Sequence, residues 1–179
     1  MARPELHDED VQLRPLRFAD AGALNRVLRD RRATRYLPPR VRQETGRQFV
    51  ARVLQEQRQG EGVAFAIVRS ESDAVVGQIR LMNWSRAERS AEVGFWLRRT
   101  DWGRGYGTSA LRLACRYGFR TMNLHRIEAL VVEGHIGSRR ILAKVGFRLE
   151  GTERHGARVN QRWVDVWRLG LLRGELRQT

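Results

Sequence analysis

Trp102-Gly103-Arg104-Gly105-Tyr106-Gly107-Thr108 stands between two stretches with different hydrophobic periods. Before it, Ser90 to Leu97 reads as a strand in which Glu92 alternates with Ala91 and Val93 and so points to the opposite sheet face. After it, Leu111, Ala114, Cys115, Gly118, Phe119 and Met122 fall on one face of a helix. Arg126 to Val132 then returns to a β-branched strand. Strand, long helix and strand in this order require a parallel pair with a right-handed crossover. Glycines at alternate positions of the turn let the backbone take unusual angles and come close to a ligand. The first free N–H groups of the helix point outward there, the helix dipole favours an anion, and Arg99 and Arg104 add charge at the same rim. A pyrophosphate is the natural guest; the alternative is a tight strand–helix connection with no ligand. The third glycine of the dinucleotide fingerprint is missing, and no Lys-Ser/Thr pair closes a P-loop.

Working outward, Val11 to Phe18 alternates as a first strand, and Asp20 caps a helix through Arg31. Pro38-Pro39 breaks the chain before a second helix over Gln43 to Arg58. Val63 to Arg69 and Ala74 to Trp84 form a hairpin. Ser138 to Val145 is a short helix stopped by Gly146, and Phe147 to His155 with Gln161 to Leu172 closes the chain as a last hairpin. The expected architecture is α+β: one domain over 11–175 after a loose segment 1–10. Its mixed, mostly antiparallel sheet carries one parallel βαβ crossover and is flanked by four helices.

A chain of 179 residues suits one domain and can bury roughly two thirds of its unfolded surface. Its 41% hydrophobic content and five tryptophans argue against disorder. A single cysteine, Cys115, excludes an internal disulfide or a cysteine-based zinc site; it lies on the apolar helix face and reads as a core thiol. His7, His125 and His155 lack ligand spacing, so no metal is expected. Neither a signal segment nor a membrane-spanning apolar run is present, and a soluble, cytoplasmic protein is expected. The net charge of +14 would draw in polyanions. The arginines are nevertheless spread along the whole chain and Lys144 is the only lysine, so direct nucleic-acid binding is not expected.

Together, the glycine turn, His135-Ile136-Gly137-Ser138 and Lys144-Val145-Gly146-Phe147 resemble the GCN5-related N-acetyltransferases, and within them the Rim-type branch that acetylates ribosomal-protein N-termini. The resemblance runs from Arg14-Pro15-Leu16 to the closing hairpin. It implies acetyl-coenzyme A as donor, its pyrophosphate on the amides of Arg104, Gly105, Tyr106, Gly107 and Thr108 with Gly103 among the cofactor contacts, and no metal. It implies a pantetheine arm paired like an extra strand with Phe95, Trp96, Leu97 and Arg98. Arg99, Trp102, His135, Ser138 and Arg139 would complete the cofactor contacts, with Ser138 close to the thioester sulfur. Three positions depart from the family pattern: Trp102 stands where many relatives have Gln or Arg, His135 replaces an asparagine, and Leu142 falls where many carry a tyrosine acid.

Acetyl transfer to an amine needs a neutral nucleophile, a held oxyanion and a stabilised thiolate. An α-amino group with a pKa near ~8 needs less help from a base than a lysine near ~10.4. Glu92 is the candidate base, acting through water; its other reading is an ordinary ion-paired glutamate. Ser138 is the candidate donor to the thiolate, and equally a helix N-cap. The oxyanion is best served by a backbone N–H near Phe95 or Trp96. Trp163 and Trp167 share a strand face and read as core. Tyr36 and Leu37, before Pro38-Pro39, border the acceptor site by family analogy. The expected reaction is direct attack in a ternary complex by a protein N-terminal amine. The alternatives are a small amine (an aminoglycoside or polyamine) and a non-catalytic basic ribosome- or RNA-binding module. A homodimer through the final hairpin stays open.

Overall fold

An eight-stranded sheet organises the chain in the computed structural model, which describes residues 5–177. Its strands are β1 (Leu6–His7), β2 (Val11–Pro15), β3 (Val63–Arg69), β4 (Val75–Ser85), β5 (Ser90–Leu97), β6 (Arg126–Val132), β7 (Arg148–Val159) and β8 (Arg162–Leu172). They lie in the order β1-β2-β3-β4-β5-β6-β8-β7. The helices are α1 (Ala21–Leu28), α2 (Pro39–Gln43), α3 (Gly46–Arg58), α4 (Tyr106–Arg120) and α5 (Ile136–Val145). All neighbouring strands run antiparallel except β5 and β6, joined through α4 as the crossover requires.

The centre of the sheet is covered on both faces, which is why Val63-Ala64-Phe65-Ala66-Ile67-Val68 is apolar at every position. Val63, Phe65 and Ile67 face one core with Ile79, Leu81, Leu111 and Cys115, under α4 and α5. Ala64, Ala66 and Val68 face the other with Leu24, Phe49, Val53 and Trp96, under α1 and α3. Fully burying each large side chain of this kind contributes about 1.5–3 kcal/mol. Arg14 clasps the buried Asp20 with both terminal nitrogens (2.9 and 2.7 Å), and Asp20 also accepts the Arg17 N–H (2.8 Å). The strand end of β2 is thereby fastened to the start of α1.

Several boundaries differ from the sequence reading, each for a local reason. The first helix ends at Leu28 instead of Arg31, because Asp30 Oδ1 accepts the N–H groups of Arg32 and Ala33 and offers the backbone a turn instead. The expected second helix starts at Gly46 instead of Gln43, and a short unexpected helix, α2, precedes it, making five where four were expected. Thr45 takes an extended backbone and closes a capping box with Gln48, each side chain accepting the other's N–H. The opening segment, expected to be loose, contributes β1, which pairs Leu6 with Leu13 and His7 with Gln12; residues 1–4 lie outside the described residues. The first strand stops at Pro15, not Phe18. The last hairpin is longer than expected and turns at Asn160-Gln161, both at positive φ (47° and 69°), the backbone a tight two-residue hairpin favours. No described helix is long and apolar enough to cross a membrane.

Candidate active site

At the turn before α4, Gly103 and Gly105 hold left-handed backbone angles (φ +77° and +85°), open to glycine at little cost. Gly107 serves close approach: a Cβ there would lie 2.9 Å from Ile141 Cδ1 and 3.3 Å from Leu97 Cδ1, so the Ile141 side chain would have to shift to admit it. The N–H groups of Thr108 and Ser109 both return to the Gly105 carbonyl (2.8 and 3.1 Å). Thr108, expected among the pyrophosphate donors, has therefore committed its amide. Among the described residues, the amides of Arg104, Gly105, Tyr106 and Gly107 meet no acceptor. Four unpaired N–H groups with a 15-residue helix dipole behind them fit a pyrophosphate. Ser109 Oγ donates to Asp10 Oδ2 (3.3 Å) beside the same helix end, a partner that the sequence reading missed.

Asp101 fixes the turn from below. Its buried carboxylate accepts from Arg98 Nε (2.6 Å) and Thr100 Oγ1 (3.2 Å) and faces Arg69 Nε (3.6 Å). Burial alone would raise its pKa, but Arg98, Thr100 and Arg69 together hold it below the ordinary carboxylate range. Arg99, expected to face the ligand, pairs instead with Asp30 (3.1 Å) and ties the turn to the segment after α1. Trp102 donates its indole N–H to the Leu97 carbonyl (3.1 Å), so the aromatic at this position braces the end of β5.

The sheet opens beside that strand. β5 and β6 pair only at Ser90↔Arg126, Ala91↔Ile127 and Glu92↔Glu128. The Arg98 N–H bonds the Val76 carbonyl (2.7 Å), on the β4 side. Two-residue alternation then directs the N–H and C=O of Phe95 and the N–H of Leu97 to the other side, into the opening, while the Leu97 carbonyl is taken by Trp102. Trp96 does not reach the opening with its ring, which is buried edge-on against Phe49 (centroids 5.4 Å apart).

Glu92 stands at the last paired position before the strands part. It is half-buried, and burial pushes its pKa above the ordinary value. The Asn83 Nδ2 hydrogen bond (3.1 Å) and the charges of Arg80 and Arg168 oppose that rise; Glu128 adds to it. Asn83 reaches Glu92 because β4 shifts register between Met82 and Ser85 and Asn83 sits at φ +54°. A bulge re-aims a side chain in this way beside many sites. An asparagine inside the strand was the available signal for it, since asparagine tolerates this backbone.

Across the opening, Tyr36 stacks on His135 (4.6 Å between centroids, planes at 21°) and donates its hydroxyl to the Gly134 carbonyl (3.2 Å). Burial lowers the pKa of His135 and favours the neutral ring. The segment after α1 is thus bound to the loop that enters α5. His135 is the N-cap residue of α5, which makes Ser138 the third helical residue and not its cap; no side-chain cap bond forms there. Arg139 lies over the Trp167 ring (4.6 Å). Trp163, expected in the core, is 61% exposed near the hairpin tip. Leu142 is buried in the core under α5, and burial pushes the Cys115 thiol far up and out of reach of nucleophilic use.

An open parallel pair beside a helix start with four free amides suits a ligand that carries both an anionic group and a strand-like arm. The chain matches the acetyltransferase (GNAT) domain family over residues 10–148 and belongs to that family. It is an N-acetyltransferase that uses acetyl-coenzyme A. RimJ from Mycobacterium smegmatis, solved in complex with CoA-disulfide, is similar at 30% identity and TM-score 0.86, covering 98% of this chain and 89% of that one. The uncharacterized N-acetyltransferase p20 of Bacillus licheniformis is 29% identical over 172 residues, 95% of this chain and 97% of its own. Spermidine N-acetyltransferase from Vibrio cholerae, solved with CoA and spermine, shares the fold at TM-score 0.85 and 20% identity, covering 94% and 98% of the two chains.

Proposed function

We propose that the acceptor is a protein N-terminal α-amine, as in ribosomal-protein acetylation, with Glu92 as base and Ser138 as donor to the departing sulfur. The observation that carries this reading is Glu92 itself: a half-buried carboxyl with a raised pKa, at the last residue before β5 and β6 separate. Such a group accepts a proton through water from an amine of pKa near ~8 more readily than from one near ~10.4. The unpaired amides of Arg104 to Gly107 would hold the donor's pyrophosphate, and the open edge at Phe95 and Leu97 its amide-bearing arm. The Phe95 N–H is the backbone donor available to the carbonyl oxygen of the acetyl group. Ser138 enters α5 without capping it, which leaves its hydroxyl available for the sulfur.

The likeness to RimJ over nearly the whole chain supports a protein N-terminus. A polyamine acceptor calls for a carboxylate-rich cleft, whereas residues 29–42, from the end of α1 into α2, hold six arginines and one acid. The discriminating experiment offers labelled acetyl-coenzyme A to three acceptor pools: N-terminal peptides beginning with Ser, Ala or Met, blocked peptides with an internal lysine, and polyamines with aminoglycosides. Label in the first pool alone is expected. Label confined to the third would overturn the reading.

A further inference from the structure

Arg29, Arg31, Arg32, Arg35 and Arg42 line one cavity of about 780 Å³. It lies between the end of α1, the segment that follows and the start of α3, with Asn160 of the β7–β8 hairpin tip on its wall. Its one lining carboxylate, Glu44, is held at both oxygens by Arg52 (2.6 and 2.8 Å). Asp30, next to the wall, gives one oxygen to the amides of Arg32 and Ala33 and the other to Arg99. Arg42 buries its Nε without a hydrogen-bond partner, and among the described residues Arg29, Arg31 and Arg32 pair with no carboxylate. Guanidinium groups gathered in one concavity repel each other unless an anion sits among them, and their planar forks match carboxylates in two-point contacts.

Two contacts put this cavity on the acceptor side. Tyr36, in the same segment, is bound to Gly134 and His135 at the entrance to α5. Asn160 belongs to the hairpin that extends from the β6 side of the opening.

We propose that this cavity docks carboxylate side chains of the acceptor protein, so that the preferred acceptor class is a protein whose N-terminal segment is acidic. This rests on the reading of the acceptor as a protein N-terminus, with the amine entering first and the acidic residues held behind it by the arginines. Electrostatic docking of this kind acts on acceptor capture, is weakened by salt, and leaves the chemical step at Glu92 alone.

The test compares two peptides with the same first residue, one with Asp and Glu over the next six positions and one with Asn and Gln in their place. KM for the acidic peptide is expected to be at least ten-fold lower at low salt, with kcat similar for both. In an Arg31→Gln/Arg32→Gln/Arg42→Gln variant the ratio of the two KM values should collapse to near one while KM for acetyl-coenzyme A holds. Fluorescence anisotropy of the labelled acidic peptide, without donor, should show the same arginine-dependent binding. Equal KM values for two peptides that are both acetylated would overturn the cavity's role and leave the N-terminal reading standing. Arginine-dependent peptide binding without N-terminal acetylation would uphold the cavity and sink that reading. A variant that keeps the acidic preference but loses acetyl-coenzyme A, or loses a ribosomal RNA fragment instead, would overturn the proposal and assign the arginines to phosphates.

Discussion

Replacing Glu92 by Gln keeps the shape and the Asn83 contact but removes the carboxylate proposed to take the proton. General-base assistance is worth about 10²–10⁴ in rate. Glu92 is half-buried but not sealed, and its substrate amine needs little persuasion, so the lower end applies: a loss of about 10² in kcat, or about 2.7 kcal/mol at 1.36 kcal/mol per decade. Its folded pKa is raised, so the wild-type rate should fall as pH drops through a value above the ordinary glutamate pKa, where the base becomes protonated. Asn83→Ala removes a hydrogen bond that favours the charged form, so that acid limb should move to still higher pH. Stability runs the other way. A carboxyl with a raised folded pKa disfavours the folded state above its unfolded pKa, so Glu92→Gln should melt at the same temperature or higher at pH 7. Steady-state kinetics from pH 5.5 to 9 with a peptide acceptor, beside thermal melts, reads all of this. A Glu92→Gln rate within three-fold of wild type across that range would refute the base assignment.

Gly105→Glu should cut acetyl-coenzyme A affinity at least 100-fold by calorimetry, because it forces a side chain at φ +85° and brings negative charge to the four free amides. Wild-type affinity in a folded variant would remove the pyrophosphate from this turn. Asp101→Ala strands Arg98 beneath the turn, Arg69 keeping Glu71, and should cost about 2 kcal/mol in urea unfolding together with a several-fold loss of acetyl-coenzyme A affinity; loss of stability alone would confine Asp101 to folding. Asp20→Ala leaves Arg14 without its two-point partner where β2 meets α1, and about 3 kcal/mol of stability should go with it; a change below 1 kcal/mol would mean the pair is solvated.

The crossover was legible because it is written in local terms. A period-two stretch, alternating glycines, a period-3.6 stretch and the β-branched Arg126–Val132 each declare themselves over a few residues. The start of the second helix was also written there, as Thr45 three residues before Gln48, but the preceding proline pair drew the boundary to Gln43. What escaped depends on distant partners. Asp101 is held locally by Arg98 and Thr100, but its second cation, Arg69, comes from thirty-two positions earlier. Arg99 and Arg139 carry the charge expected of cofactor contacts, yet Asp30 and Trp167 engage them, and no pattern along the chain shows those neighbours. Glu92 could be assigned a face by alternation, whereas its raised pKa depends on how far β6 accompanies β5 and on the bulge that turns Asn83 inward. The exposed Trp163 shows the same limit: sharing a face with Trp167 does not tell how far the sheet's cover extends.

The central claim is that the acetyl group goes to a protein N-terminal α-nitrogen. Fragmentation mass spectrometry of one product tests it directly: a peptide beginning with unblocked Ser, followed by an acidic stretch and one internal lysine, after incubation with enzyme and acetyl-coenzyme A. Acetyl on the first residue alone is the predicted result. Acetyl on the lysine side chain, or an unmodified peptide from a preparation that acetylates spermidine, would contradict it.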